Sequence, residues 1–236
     1  MTLTTSHSSS APVTADTVSN AVSQAIHEHR LAPGTKLGED ELSDIYEVSR
    51  TIVRTALQSL AHQHIIEIKR NRGAFVAQPS LTEAQEVFEA RELLEPRTAR
   101  RAAQKATAKD VALLKDHITQ EHAALNAGDR GRALSLSGKF HVEIARIAQH
   151  KTIADMINVL VARSSLIIAL YWRRESAICE SQAHHALINA IGDNDGARAE
   201  ELMQRHLVDL HSALNLKESP AVEQDLRTML LGNRER

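Results

Sequence analysis

Along EVSRTIVRTALQSLA, residues 47–61, aliphatic and polar positions recur with a helical period. At about 100° per residue, Arg50, Thr51, Arg54, Thr55 and Gln58 fall within an arc of roughly 140°. Ile52, Val53, Ala56, Leu57 and Leu60 occupy the opposite arc. The same period starts near Asp16, with Val18, Ala21, Val22, Ala25 and Ile26 on one stripe, and stops at the turn signal LAPG, Leu31 to Gly34. A second helix spans Glu39 to Tyr46 and carries Leu42 and Ile45; Ser49 is a natural N-cap for the helix from Arg50. IIEIKRNRGAFVA then reads as a hairpin whose tip is Asn71-Arg72-Gly73. Helix, helix, turn, helix and basic hairpin form a winged helix-turn-helix over residues 16–78.

QPSLTEAQ marks a boundary near residue 79, beyond which every segment has helical character: 81–104, 107–127, 130–149, 151–172, 175–193 and 195–215. NAGDRG and GDNDG supply helix ends and starts, and Pro96 predicts a kink in the first of these helices. The pattern predicts a mainly α protein: the winged helix-turn-helix, then an all-α antiparallel bundle of six or seven helices over 79–217. Residues 1–15, rich in Ser and Thr, read as a disordered arm, and 218–236 as a tail with room for one short helix.

Composition sharpens this picture. With 42% hydrophobic and 3% aromatic residues, the core is aliphatic. A net charge of −2 excludes a polycation. Yet from Ser49 to Ala77 the chain carries Arg50, Arg54, Lys69, Arg70 and Arg72 against Glu67 alone, a local basic patch. A single cysteine, Cys179, allows no internal disulfide framework and fits a reducing, cytoplasmic setting. No signal peptide is visible at the start. The apolar run MINVLVARSSLIIALYW is interrupted by Arg163 and two serines, which suits a buried core helix better than a membrane span.

The polar arc of the 50–61 helix holds two arginines and no carboxylate. An ordinary solvated helix face beside a basic hairpin accounts for that pattern; so does a face that reads DNA. In the second case arginine bonds guanine O6 and N7, while Thr51 and Thr55 meet phosphate or a thymine methyl. Ser49 and the free amides at the helix start favour a phosphate, and Arg72-Gly73 enters the minor groove. The segment LAPGTKLGEDELSDIYEVSRTIVRTALQSLAHQHIIEIKRNRGAFV resembles the winged-helix domain of the GntR family of bacterial regulators. It shares the Leu-x-Pro-Gly turn, the Val-Ser-Arg-x-x-Val-Arg-x-Ala-Leu recognition pattern and an Arg-Gly-x-x-Val wing. The resemblance implies that Arg50, Thr51, Arg54 and Gly73 contact double-stranded operator DNA; a homodimer is expected, whose two-fold symmetry would match a palindromic operator. Asp40 stands where relatives often carry a basic contact residue.

Among thirteen histidines, His141, His184 and His206 each fall on a different predicted helix. Imidazoles from facing helices can converge on a metal; three unrelated core or surface histidines produce the same spacing. The second half resembles the FCD ligand-binding domain through EVFEARELLEPRTARRAA, KFHVEIARIA and HHALINAIGDNDGARAEELMQRHL. That resemblance implies a divalent-metal site, of zinc or nickel type, at His141, His184 and His206. The family's aspartate ligand is replaced by Ser137, and His150 stands in place of a common asparagine. The resemblance places Arg91 at the effector cavity. Arg163, inside an aliphatic stretch, must find an anion or snorkel out. With Ser137, these arginines form the candidate effector set for a small carboxylate, while a salt bridge to a helix carboxylate remains the alternative for each. His185 is expected at the surface. The expected function is a ligand-responsive transcriptional repressor, not an enzyme. The alternatives are a metal-dependent hydrolase or isomerase with a vestigial winged helix, with Glu180 one turn before His184 as its base, and a dimerisation module without effector.

Overall fold

The computed structural model describes residues 12–172 and 178–214, with side chains from 183 onward in the second stretch. The N-terminal domain contains α1 (Ala15–His27), β1 (Lys36–Leu37), α2 (Glu39–Tyr46), α3 (Arg50–His62), β2 (Ile66–Lys69) and β3 (Gly73–Val76). Its antiparallel sheet has the order β1-β3-β2, with Leu37 opposite Ala74 and Ile66 opposite Val76. The hairpin expected from sequence is β2–β3; β1 was not expected. Two residues are too few to show a period, and β1 exists because β3 offers it a free edge. Val18, Val22 and Ile26 of α1 meet Val53, Leu57 and Leu60 of α3 in one buried core. The wing closes through Gly73, whose φ of 93° is open to glycine at no steric cost.

The second domain is a bundle of six described helices: α4 (Leu81–Lys105), α5 (Ala108–Asn126), α6 (Arg130–Ile147), α7 (Lys151–Tyr171), α8 (Ile178–Gly192) and α9 (Gly196–Ser212). Side-chain caps set the starts. Ser80, Thr107, Asp129 and Asp195 each accept a hydrogen bond from the backbone three residues on. α4 continues through Pro96 as a single helix, with Pro96 itself buried. Phe88, Leu114, Ile118, Phe140, Ile144, Leu187 and Leu207 are among the residues of the shared core. α7 is long and apolar enough to cross a membrane, with a mean hydropathy of 1.8. It packs instead within the bundle, burying Ile157, Val161, Leu166 and Ile167. A tail helix beyond Lys217 and most of the expected N-terminal arm lie outside the described residues.

The two domains meet along α1, α6 and α7. Ala162 and Leu166 of α7 belong to the core of the winged domain. At Gly131, the first turn of α6 passes so close to α1 that a β-carbon would stand 1.9 Å from the Glu28 carbonyl oxygen. Tyr171 Oη donates to the Pro79 carbonyl at 2.9 Å, fixing the connection between domains to the end of α7.

Two histidines lie on this seam. Burial, and then the neighbouring Lys139 and His29, lower His27 from 6.5 to about 4. Burial also lowers His29, partly offset by its bond to Ser165. Both imidazoles are harder to protonate in the folded chain than in the unfolded one. Between about 6.5 and 4 the unfolded chain therefore binds more protons, and stability falls as the pH falls through that window. Thermal melts should show a lower Tm at pH 5 than at pH 7.5, with a shallower dependence in His27→Gln. An unchanged slope in that variant would remove His27 as the cause.

Candidate nucleic-acid interface and metal centre

The faces of α3 separate as its sequence period requires. Val53, Ala56, Leu57 and Leu60 are buried, and Ile52 is half-buried against the same core. Arg50, Thr51, Arg54, Thr55 and Gln58 are exposed. Ser49 Oγ accepts from the Ile52 amide, and the Thr55 hydroxyl donates to the Thr51 carbonyl, which leaves the Thr55 methyl and lone pairs facing outward. Arg72 and Gly73 are exposed at the wing tip, with Lys69 and Arg72 flanking the Phe75 ring at 5.2 and 5.8 Å.

Both arginines of this face have partners that the α3 pattern alone did not reveal. Arg50 Nε lies 2.7 Å from Asp40 Oδ1, and Arg54 Nε lies 2.7 Å from Glu39 Oε2. These carboxylates come from the first turn of α2, which the helix-turn-helix corner sets beside α3. Arg50 and Asp40 remain 64% and 69% exposed. Exposed pairs of this kind are worth about 0–1 kcal/mol and exchange readily for another anion.

In the second domain the structure brings His141 of α6, His184 of α8 and His206 of α9 to one buried point. The Nε2 atoms of His184 and His206 are 3.3 Å apart, and those of His206 and His141 are 3.2 Å apart. Nitrogens held about 2.0–2.1 Å from a tetrahedral zinc stand about 3.3–3.4 Å from each other. Glu95 Oε2 accepts from His141 Nδ1 at 2.6 Å, so His141 presents a lone pair at Nε2. His184 Nδ1 faces Glu121 Oε2 at 3.4 Å, and both atoms are buried without a hydrogen-bond partner. Converging imidazole lone pairs backed by carboxylates are poorly served by one N–H on His206. A cation serves all three. Burial lowers both His141 and His206, the latter well below the usual imidazole range, so the donors are neutral and available. The triad can hold a metal.

Beside it lies a cavity of ≈ 30 Å³, room for two or three waters, lined by Arg91, Ser137, His141, Ser164 and Ser165 among others. Arg91 is buried and donates to Glu95 Oε1 at 2.5 Å and to Ser164 Oγ at 2.9 Å. Burial would raise Glu95, but Arg91 and His141 outweigh it and hold the carboxyl at about 2. Arg163 does not join this wall: it forms an ion pair with Glu83, the helix-carboxylate alternative weighed above. His185 is exposed and meets His122 edge-on, and His150 is exposed at the start of α7. The side chains of Cys179 and Glu180 lie outside the described residues. Glu95 carried a sequence signal, one helical turn after Arg91; Glu121 carried none.

Comparison with known proteins supplies the family. Residues 14–76 match the gntR family of bacterial regulatory proteins, and residues 86–209 match the FCD domain. The chain belongs to the GntR family, in its FCD branch. The galactonate operon transcriptional repressor of Escherichia coli K12 is 30% identical over 205 residues, spanning 75% of this chain and 86% of the relative. The regulator LutR of Bacillus subtilis strain 168 is 25% identical over 212 residues, spanning 80% and 96%. In structure, Escherichia coli McbR/YncC matches with a TM-score of 0.72 at 21% identity, over 84% of this chain and 97% of that one. A GntR regulator from Rhodococcus sp. RHA1 matches with 0.73 at 19% identity, over 84% and 95%. These two show the shared fold. This GntR-family chain is thus a transcriptional regulator rather than an enzyme, with a DNA-binding helix-turn-helix followed by an FCD domain.

If α3 is the face that meets DNA, the carboxylates of Asp40 and Glu39 compete with DNA for its arginines. Asp40→Asn should therefore tighten DNA binding about threefold or more and lessen repulsion from phosphate, as followed by fluorescence anisotropy. Weaker binding would show that Asp40 orients Arg50 productively.

Proposed function

We propose that this protein is a cytoplasmic, dimeric repressor whose FCD domain binds a small carboxylate and thereby releases a palindromic operator. The observation that carries the reading is the convergence of three buried histidines, one of which, His141, lines a cavity with Arg91 and Ser137 that borders the DNA-binding domain. His141, His184 and His206 would hold a divalent ion of zinc or nickel type, with Ser137 in place of the family's aspartate. When bound, such an ion supplies Lewis-acid positions for the effector's oxygens. Arg91 orients the carboxylate, and Glu95 fixes both Arg91 and the His141 tautomer. The name of the E. coli relative, galactonate operon transcriptional repressor, supports a sugar acid or similar carboxylate as the class to test. Arg163, tied to Glu83, is left out of the effector set.

On the DNA side, Ser49, Arg50, Thr51, Arg54 and Thr55 enter the major groove, with Arg72 and Gly73 at the minor groove. Dimerisation is supported by surface that the single chain leaves bare. Met156 on α7 is 52% exposed, and Leu93 on the adjoining α4 is 76% exposed. A two-fold interface over this face would cover them and pair two recognition helices.

Gel shifts on the DNA flanking its own gene test the reading, with succinate, citrate and D-galactonate as candidate effectors. Salt-sensitive, sequence-specific binding, weakened by one of them, is expected; absence of specific binding under every condition rejects it. Arg54→Ala should weaken operator binding about tenfold or more while leaving the melting curve intact. Wild-type affinity in that variant would show that α3 is not the reading face. Purified protein should carry about one divalent ion per chain by elemental analysis, and His206→Ala should lose it together with any metal-dependent rise in Tm. Equal metal content in the two proteins would place the ion elsewhere.

A further inference from the structure

One wall of the FCD cavity comes from the other domain. His29 lies two residues beyond α1, in the winged domain, and lines the same cavity as Arg91, Ser137 and His141. Its Nε2 is 3.1 Å from the main-chain oxygen of Ser165, in the middle of α7. A carbonyl accepts, so His29 donates from Nε2. The residue before, Ser164, accepts from Arg91. Consecutive positions of α7 therefore hold the cavity arginine and the histidine of the DNA-binding domain.

The bond from His29 is replaceable. A carboxylate is a stronger acceptor than a neutral helix carbonyl, and it would stand between His29 and Arg91 if bound in this cavity. The His29 backbone has a φ of 55°, a region that suits glycine better than any side chain. His64 and Asn194 take the same conformation just past their own helices, so the φ marks an ordinary helix end that glycine would also accept. His29 lies just past α1, whose Val22 and Ile26 share a core with Val53 and Leu57 of α3.

We propose that His29 is a ligand-contacting residue lent to the effector site by the DNA-binding domain. A small carboxylate held by Arg91 accepts the Nε2 proton of His29 as a hydrogen bond, in place of the Ser165 carbonyl. Effector occupancy and the seating of α1 and α3 then become one equilibrium. The inference rests on the effector reading above. By linkage, effector and operator weaken each other by the same factor.

The test uses full-length protein, wild type and the variants His29→Gly and His29→Gln. Glycine removes the imidazole at a φ it adopts freely; glutamine keeps an N–H donor. Affinities for succinate, citrate and D-galactonate are measured by calorimetry with and without the operator duplex found by gel shift. For wild type, the effective carboxylate should bind about tenfold more weakly to the DNA complex. In His29→Gly its affinity should fall about tenfold and the ratio between free and DNA-bound protein should approach one, while His29→Gln retains part of both. Because the ratio compares one variant with itself, a merely structural effect on Tm does not move it. Should wild type respond and His29→Gly keep both affinity and ratio, His29 has no such role although the effector reading stands. Should wild type bind none of the three carboxylates, the effector reading fails, and this inference with it. If His29→Gly does not fold, His29→Phe, a ring without a donor, decides on the same ratio.

Discussion

A carboxylate buried in an aliphatic bundle is costly unless cations or donors surround it, and Glu95 is where the FCD domain meets that constraint. It is 2% exposed and accepts from both Arg91 and His141. One side chain thereby sets two properties of the cavity. Arg91 is turned so that its remaining donors reach Ser164 and the open space. His141 is fixed with its proton on Nδ1, leaving Nε2 toward His206. Glu121 is placed near His184 in turn, 3.4 Å from its Nδ1, but without a hydrogen bond between them. The metal-competent triad is a consequence of these outer carboxylates as much as of the histidines themselves.

α7 carries the consequences from one domain to the other. Its stretch from Val161 to Ile167 serves two cores at once: Ala162 and Leu166 face the winged domain, while Ile167 faces the bundle. Ser164 and Ser165 lie between them and hold Arg91 and His29. The high hydropathy of this helix is therefore a sign of crowding rather than of a membrane. Polar interruptions fall where the two domains and the cavity meet. Gly131 enforces the same closeness at the other end of the seam, where no side chain could separate α6 from the end of α1.

The sequence was most informative where an element's own period decides its structure. α3 shows its buried and exposed faces in the order of its residues, and Asp129 and Asp195 announce the starts of α6 and α9 through the backbone amides they cap. His141, His184 and His206 could be assigned to separate helices, but their convergence depends on the rotation of each helix within the bundle, which no local spacing encodes. Partner choice escaped for the same reason. Arg163 found Glu83, 80 residues away; Arg50 found Asp40 across the helix-turn-helix corner; and His29 reached Ser165, 136 residues away. β1 lacked a pattern because its two residues depend wholly on β3.

These pairings also bear on where the regulatory energy resides. Freeing Arg50 and Arg54 from Asp40 and Glu39 costs at most about 2 kcal/mol for two exposed pairs. Moving a population from 1:99 to 99:1 needs about 5.5 kcal/mol. Changes confined to the electrostatics of α3 thus fall well short of a complete switch. In the proposed regulator the remainder comes from a ligand that binds one domain arrangement better than the other. The buried seam of α1, α6 and α7 is the place where such a preference can be expressed. There the cavity has His29 of the winged domain as one of its walls and Arg91 and His141 of the bundle as others, so whatever fills or reshapes it bears on both domains.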